Sequence, residues 1–303
     1  MTTKLKTVRE LIQITSRYFA EKGISSPRLN AERLLGDVLS LPRIELYLQH
    51  DRPVTGPELT RYRECVKRRA AGEPLQTIIG ATEFYSRSFK VEPGVFIPRP
   101  ETEILVQECV KILTPPDRRL ISPHVLEIGC GCGVIGITLA MEMPSLLVTA
   151  TDVNPEAVRL SEHNARRLSV TPRINFVTGD GFAPVPTSLK GKIDLLVSNP
   201  PYVRQENIDD LPREVSQHDP HEALDGGRDG LDHYRALAAG FATWLCPGGA
   251  VAVEIGCDQA EAVIEIFERA GCRDTIVAQD YNNLPRVVTA HWGHEDRLDM
   301  LLP

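Results

Sequence analysis

The sequence predicts an α/β protein: a doubly wound, mostly parallel sheet of seven strands, preceded by a small helical domain and a β-hairpin linker. From about residue 123 onward, short apolar runs alternate with helical patterns, as in parallel strands connected by helices. A glycine-rich loop follows the first apolar run, whereas residues 1–72 repeat apolar side chains at helical spacing. We therefore predict a helical domain over 1–72, a hairpin linker over 73–95 and the α/β domain over 96–303.

The composition is that of an ordinary globular protein. The 303 residues are 42% hydrophobic and 25% charged, enough for one large or two modest domains. The sequence contains no run of about 18 apolar residues, so we expect no membrane span. The first residues, Met1-Thr2-Thr3-Lys4, lack an apolar signal core, so we expect a cytoplasmic protein.

Cysteine usage indicates reduced thiols. The seven cysteines are odd in number and scattered through predicted helices and strands, unlike a disulfide framework. Cys130 and Cys132 have no second Cys or His pair at zinc-like spacing, so we expect no metal site.

Charge is unevenly distributed along the chain. The net charge is −7, but residues 1–72 hold 14 basic and 8 acidic residues, a net +6, and the remainder holds 20 and 33, a net −13. Either the charged residues lie on solvated helix faces, or the N-terminal domain binds an anionic partner. We favour a docking surface, because five cations crowd one predicted helix: Arg61, Arg63, Lys67, Arg68 and Arg69.

Three helices are predicted in the N-terminal domain. Thr7 begins a capping box, and Gly23 ends the apolar pattern that follows. Ser26-Pro27 opens a second helix, and Thr55 begins a second capping box before a third. No residue in this domain has a catalytic pattern.

The linker is predicted as a β-hairpin over residues 77–91, which alternate and are rich in Ile, Phe, Tyr and Thr, with Ser86-Arg87 at the middle of the stretch. Within residues 97–103, two prolines hold an extended segment, and a helix is predicted to begin near Glu101. This segment is either a stiff linker that ends in a capped helix or a lid over a nearby site.

The α/β domain is predicted element by element from the apolar runs and the helical patterns between them. Strands are predicted at residues 124–128, 147–151, 174–177, 193–197, 250–255, 273–279 and 285–292. Helices are predicted at residues 134–143, 155–168, 231–245 and 258–270.

The loop Gly129-x-Gly131-x-Gly133 predicts a nucleoside-cofactor site, since glycines let the backbone approach a ligand closely. Asp152 ends the next strand, where an acid bonds ribose hydroxyls. Two cofactors fit such a loop. We prefer S-adenosylmethionine over NAD, because Glu127 places a carboxylate at the loop's entry, where it would repel a pyrophosphate and attract a sulfonium or amino group. Asp180, after the third strand, offers an acceptor for an adenine amino group.

The segment Ser198-Asn199-Pro200-Pro201-Tyr202 follows the fourth strand. Two prolines cannot extend a central strand, so the chain leaves the sheet here, at the edge where ligands bind in such sheets. The Asn199 amide, the Pro200 carbonyl and the Tyr202 ring suit a flat, neutral nitrogen. The alternative is an ordinary proline-stiffened loop.

The chain resembles the class I methyltransferases that modify planar amide or amino nitrogens, and more specifically the release-factor glutamine methyltransferase family. The resemblance is colinear, covers nearly the whole chain and includes the helical domain. It rests most specifically on Ile97-Pro-Arg-Pro-Glu-Thr-Glu103 together with Asn199-Pro-Pro-Tyr202. Further matching stretches are residues 73–76, 83–85, 127–133, 223–227, 229–231, 247–249, 254–256 and 286–288.

The resemblance implies a Rossmann-like methyltransferase fold and methylation of the glutamine of the Gly-Gly-Gln motif in peptide chain release factors. It implies that residues 199–202 hold the substrate, with Asn199, Pro200 and Tyr202 as the catalytic groups and Pro201 beside them. The resemblance implies that S-adenosylmethionine is bound by Gly129, Gly131, Gly133, Asp152, Asp180 and Asn199. The predicted cofactor site further includes Glu127, Cys130, Cys132, Gly181 and Phe182. The family often carries Thr or Ser where Cys130 and Cys132 stand, so a side-chain hydroxyl contact is lost here.

Three other functions are weighed. An adenine-N6 nucleic-acid methyltransferase would use the same local chemistry, but it would need a basic groove, and residues 73–303 carry −13. A catalytically silent S-adenosylmethionine-binding module is disfavoured by the intact loop, acid and Asn199. The third alternative is an NAD-dependent oxidoreductase, and a cofactor-binding assay would distinguish it from a methyltransferase. His218, His221 and His233 are expected to be surface or structural groups and not general bases, and we expect no direct nucleic-acid partner.

Overall fold

The computed structural model describes residues 5–115 and 120–293. The outer ends of the predicted domains, residues 1–4 and 294–303, and the stretch 116–119 lie outside the described residues. The chain divides into two compact units. One comprises Met1–Ala81 with Pro212–His218, and the other comprises Thr82–Leu211 with Asp219–Pro303.

The structure contains eleven helices and nine strands within the ranges it describes. The helices are α1 (Val8–Glu21), α2 (Pro27–Leu39), α3 (Arg43–Leu48), α4 (Gly56–Ala70), α5 (Leu75–Ile79), α6 (Thr102–Leu113), α7 (Val134–Glu142), α8 (Pro155–Arg167), α9 (Arg213–Ser216), α10 (Asp232–Trp244) and α11 (Ala260–Arg269). The strands are β1 (Ala81–Phe84), β2 (Arg87–Lys90), β3 (His124–Ile128), β4 (Leu147–Asp152), β5 (Ile174–Thr178), β6 (Ile193–Ser198), β7 (Leu245–Glu254), β8 (Cys272–Gln279) and β9 (Pro285–Trp292).

The helical unit forms around the apolar faces of its first helices. Thr7 and Glu10 complete the predicted capping box of α1. Phe19 from α1, Leu35 from α2 and Tyr62 from α4 are almost fully buried in one shared core. The short helix α3, which the sequence analysis does not predict, adds Leu46 to this core.

The predicted cation patch on α4 is wrong in part. Arg69 is buried, with 5% of its surface exposed, and its guanidinium donates to Asn30 Oδ1 at 2.8 Å and to Glu214 at 2.6 Å. Arg68 is paired with Glu73. Both sets of contacts lie within the helical unit, and the exposed cations of the patch are Arg61, Arg63, Lys67 and Arg68.

The predicted hairpin is shorter than expected. Its first residues, 77–79, belong instead to α5, which ends where Gly80 takes a left-handed φ of +78°. Leu75 and the adjoining isoleucines pack into the helical core, and this burial outweighs their β-branched preference for strands. The hairpin itself is β1 and β2, with Tyr85 and Ser86 at positive φ in its two-residue turn.

The second unit contains the predicted seven-stranded, mostly parallel sheet, and this prediction is confirmed. The strand order is β5-β4-β3-β6-β7-β9-β8, with β9 antiparallel to both of its neighbours. Neighbouring residues of a strand serve opposite faces of the sheet. Val125 packs into one apolar cluster and Leu126 into the other. Because an apolar cluster covers each face of the sheet, the strands have continuous apolar sequences.

The site lies where the strand order reverses. From β3 the chain winds first toward β4 and β5, and later crosses to β6 on the other side. Ile128 and Ser198 are paired in the parallel register of β3 and β6, so the glycine loop and Asn199 leave the sheet side by side. This is the position at which open α/β sheets bind ligands. Among the described helices, none combines the length and the apolar character needed to cross a bilayer.

Candidate active site

The glycine loop forms an open cradle at the end of β3. Gly129, Gly131 and Gly133 all take positive φ, at +79°, +55° and +85°. A Cβ on Gly133 would lie 2.7 Å from the Ile137 side chain, so glycine is required there for packing. A Cβ on Gly129 or Gly131 would instead project into open space. The backbone therefore leaves room for a ligand beside these two residues.

Asp152 lies beside this cradle at the end of β4. Its carboxylate accepts hydrogen bonds from the backbone N–H groups of Gly131 at 2.8 Å and Asn154 at 2.9 Å. Burial raises the pKa of this carboxyl, and the two backbone donors oppose that rise. A carboxylate has about four acceptor sites, so Asp152 retains capacity for the hydroxyl donors of a ribose.

Glu127 lies behind the loop and not at its entry, which corrects the expected position. The side chain is fully buried, and Oε2 accepts from the Gly136 N–H at 3.0 Å. Its other oxygen, Oε1, has no hydrogen-bond partner among the residues that the structure describes. Burial raises the pKa of Glu127 to about 8. A Cβ at position 136 would lie 2.5 Å from this carboxylate, which explains the glycine there.

The two cysteines of the loop face the protein interior. Cys130 and Cys132 are buried in the apolar cluster on one side of the sheet, and the Cys130 sulfur lies 3.6 Å from the Ser161 hydroxyl. Burial raises the pKa of both thiols. Only the backbone of these residues is left to face a ligand.

The residues after β5 form a turn beside the cradle. Asp180 is exposed, and Gly181 takes a φ of +50°, with open space where a Cβ would stand. The Phe182 ring stacks on Trp244 at 5.9 Å and lies against Gly240, where a Cβ would be 2.3 Å away. One face of this aromatic ring is therefore used in packing against α10.

The Asn-Pro-Pro-Tyr segment is anchored at both ends. Ser198 Oγ donates to the Ile128 carbonyl at 2.7 Å. At the other end, the Tyr202 carbonyl accepts from Gln259 Nε2 at 3.0 Å. A Cβ on Gly226 would lie 2.9 Å from the Tyr202 backbone, so this glycine lets another segment pass close by. Pro200 is buried, and Asn199 is half-buried.

A buried polar network lies under this segment, and it is absent from the predictions made from the sequence. Asn199 Nδ2 donates to Thr102 Oγ1 at 3.2 Å, and Thr102 Oγ1 donates to Glu254 Oε2 at 2.7 Å. The Tyr202 hydroxyl donates to Glu254 Oε1 at 3.4 Å. Burial raises the pKa of Glu254 to about 7 and also raises the pKa of Tyr202. One sequence signal for this network exists: Glu254 is an acid at the end of the apolar strand β7, which pairs with β6.

Two of the three histidines lie near Asp225, and the third, His218, is exposed. The His233 ring lies 3.2 Å from the Asp225 carbonyl, and His221 lies 3.9 Å from the Asp225 carboxylate. His218 belongs to the helical unit. All seven cysteines are free thiols.

Comparison with known proteins identifies the family. Residues 10–80 match the PrmC N-terminal domain, and residues 88–220 match the methyltransferase small domain. The release factor glutamine methyltransferase of Geobacter sulfurreducens is 40% identical over 290 residues, covering 95% of this chain and 97% of that protein. The enzyme of the same name from Chlorobaculum tepidum is 39% identical, and the match covers 93% of this chain and 96% of that protein.

A solved structure supports the fold. The hMettl16 catalytic domain has a TM-score of 0.52 and 13% identity to this chain, covering 80% of it and 84% of that domain. At this identity the likeness shows the fold alone. The predicted fold class and the predicted S-adenosylmethionine-dependent methyltransferase are confirmed. The chain belongs to the release factor glutamine methyltransferase family.

Proposed function

We propose that this chain transfers a methyl group from S-adenosylmethionine to the side-chain amide nitrogen of the glutamine in the Gly-Gly-Gln motif of peptide chain release factors. One observation carries the proposal: β3 and β6 end side by side and bring the open glycine cradle next to the Asn199 amide. Relatives that match along 93–95% of this chain are release factor glutamine methyltransferases by name, which supports this choice of substrate.

The residues of the cradle fit S-adenosylmethionine, which supplies a methyl group on a positively charged sulfonium. Gly129 and Gly131 leave open space for it, and Asp152 offers acceptors for its ribose. The unpartnered Glu127 Oε1 adds a buried acceptor behind the loop. We propose that Cys130, Cys132 and Gly133 contribute backbone contacts, and that Asp180, Gly181 and Phe182 border the adenine.

We propose that residues 199–202 hold the glutamine amide. Asn199 Oδ1 and the Pro200 carbonyl accept its two N–H bonds, and the Tyr202 ring stacks on its plane beside Pro201. These acceptors increase electron density on a weak nucleophile and aim its lone pair at the methyl group. No strong general base is required, because the nitrogen becomes acidic once it carries the methyl group.

The proposed division of labour follows the predicted domains: residues 1–72 dock the substrate, 73–95 link, and 96–303 catalyse. The exposed cations Arg61, Arg63 and Lys67 on α4 support docking of an acidic protein surface. The net −13 of residues 73–303 supports a protein substrate over a nucleic acid. The seven free thiols support a cytoplasmic location.

The test is transfer of labelled methyl from S-adenosylmethionine to three acceptors: a release factor, the same factor with the Gly-Gly-Gln glutamine changed to alanine, and duplex DNA. We expect label on the first acceptor alone. Label on DNA, or equal label on the alanine variant, would contradict the proposed function.

A further inference from the structure

The hydrogen bonds below Asn199 form a chain with a defined direction. Two hydroxyls, from Thr102 and Tyr202, meet the two oxygens of the buried Glu254 carboxyl. An ionised carboxylate only accepts hydrogen bonds, so both hydroxyls must donate to it. The single hydroxyl proton of Thr102 is thereby committed to Glu254, and its oxygen is left as an acceptor toward Asn199.

This direction decides which way the Asn199 side chain faces. The two ends of a carboxamide have almost the same shape, so only hydrogen-bond partners distinguish them. Because Thr102 Oγ1 accepts, the group 3.2 Å from it must be the NH₂ end. The oxygen Oδ1 then faces away from Thr102, free to accept an N–H bond from a substrate amide.

We infer that Thr102 and Glu254 are positioning residues that hold the Asn199 carboxamide with its oxygen toward the substrate, and that the same carboxylate fixes the Tyr202 hydroxyl. This inference rests on the proposed function of residues 199–202. Reversal of the hydrogen-bond chain would present the NH₂ end to the substrate, and a donor cannot polarise an amide N–H group.

The charge of Glu254 controls this direction. Burial and the nearby Glu101 carboxylate favour its protonation, whereas the hydrogen bonds from Thr102 and Tyr202 favour the ionised form. Arg286, on β9, favours the ionised form. Glu254 is on β7 and Thr102 on α6, and from α10 the titratable Tyr234 hydroxyl donates to the Glu254 backbone carbonyl at 2.9 Å. A protonated Glu254 can donate to Thr102 and allow the chain to reverse.

The experiment compares steady-state methylation of release factor by four variants. Thr102→Val removes the hydroxyl at nearly constant volume, and we expect kcat to fall about tenfold or more, with KM for S-adenosylmethionine within about twofold of the wild-type value. Thr102→Ser keeps the hydroxyl and should recover most of the turnover. Glu254→Gln can present either end of its amide to Thr102, so we expect a similar loss of kcat.

Thr138→Val is the matched control, because Thr138 is also fully buried, yet its hydroxyl has no partner in the part of the chain that the structure describes. Its kcat should match that of the wild type. The pH profile adds a readout that packing alone would not move. Wild-type kcat should fall as pH drops below about 7, the pKa of Glu254, and Glu254→Gln should lack this limb.

A second measurement does not depend on activity. The Asn199 side-chain NH₂ resonance, identified by its loss in Asn199→Ala, should shift with a midpoint near pH 7 in the wild type and stay constant in Glu254→Gln. Unchanged kcat in Thr102→Val, an equal loss in Thr102→Ser, or an NH₂ resonance insensitive to Glu254 would overturn the inference. Absence of methyl transfer by the wild type would overturn the proposed function instead, and the resonance would still test the hydrogen-bond chain.

Discussion

The Ser198 hydroxyl donates a 2.7 Å hydrogen bond to the Ile128 carbonyl, and the two residues are also paired in the register of β6 and β3. Each residue is the last of its strand. This bond therefore ties together the two points at which the glycine loop and the Asn-Pro-Pro-Tyr segment leave the sheet. In the proposed assignment of the site, the relative position of cofactor and substrate depends on this bond.

Ser198→Ala should lower the free energy of unfolding by about 1–2 kcal/mol, because the partly buried Ile128 carbonyl loses its donor. It should also lower kcat, since Asn199 is the next residue. Ser122→Ala is the control: its hydroxyl donates to the Ser145 carbonyl at an exposed position, so we expect a change within about 0.5 kcal/mol. Denaturant unfolding measures the free energy of unfolding of both variants. Equal losses of stability in Ser198→Ala and Ser122→Ala would contradict this prediction.

Asp152→Ala should weaken S-adenosylmethionine binding by roughly 1–3 kcal/mol while the protein stays folded, because ribose donors and the Gly131 N–H lose their acceptor. Asp152→Asn keeps one acceptor oxygen and should fall between the alanine variant and the wild type. Isothermal calorimetry measures the affinity. A folded alanine variant with wild-type affinity would rule out the ribose assignment.

Asn199→Ala should depress kcat by about 10²-fold or more, because the acceptor that polarises the substrate amide is removed. Its affinity for S-adenosylmethionine should change much less than its turnover. Single-turnover methylation with saturating cofactor separates the two effects. Turnover near the wild-type rate would leave Asn199 as a turn-forming residue only.

The double reversal Arg63→Glu and Lys67→Glu should raise KM for intact release factor and leave KM for a short Gly-Gly-Gln peptide unchanged. Both side chains are exposed on α4, so folding should be little affected. Arg69→Leu is the contrasting variant and should instead destabilise the protein by roughly 2 kcal/mol, because it leaves Asn30 and Glu214 without their partner. Equal changes of KM for protein and peptide would show that α4 is not a docking surface.

Glu127 should make stability depend on pH. Its folded pKa of about 8 lies above the ordinary value of 4.5, so the folded state binds its proton more tightly than the unfolded state. Stability therefore falls as pH rises from about 4.5 to about 8. Glu127→Gln should remove this part of the slope. Unfolding free energies of both proteins between pH 5 and 8 provide the measurement, and parallel curves would contradict the assigned burial.

The strands and helices of the α/β unit follow closely from the sequence, because burial on both faces produces uninterrupted apolar runs such as that of β6. The glycine loop and Asn199 were also predictable, since both directly follow such runs. The helix α5 could not be predicted in the same way. Its isoleucines have strand propensity, and they are helical here because they pack into the core of the helical unit.

The network under Asn199 could not be predicted for a different reason. Thr102 and Glu254 are 152 residues apart in the chain, and each contacts the site only after the sheet has assembled. The composition of α4 similarly conceals the role of Arg69, because a charge pattern does not distinguish a solvated guanidinium from a buried one. Long-range polar contacts carry no local signature.

The contact between Arg69 and Glu214 also has a consequence for biosynthesis. Residues 212–218 belong to the helical unit, yet Glu214 follows Arg69 by 145 positions. At about 5–20 residues per second, a ribosome needs on the order of 10 s to supply it. During that interval Arg69 lacks its carboxylate partner, so the N-terminal unit reaches its final stability only after more than two thirds of the 303 residues have been translated.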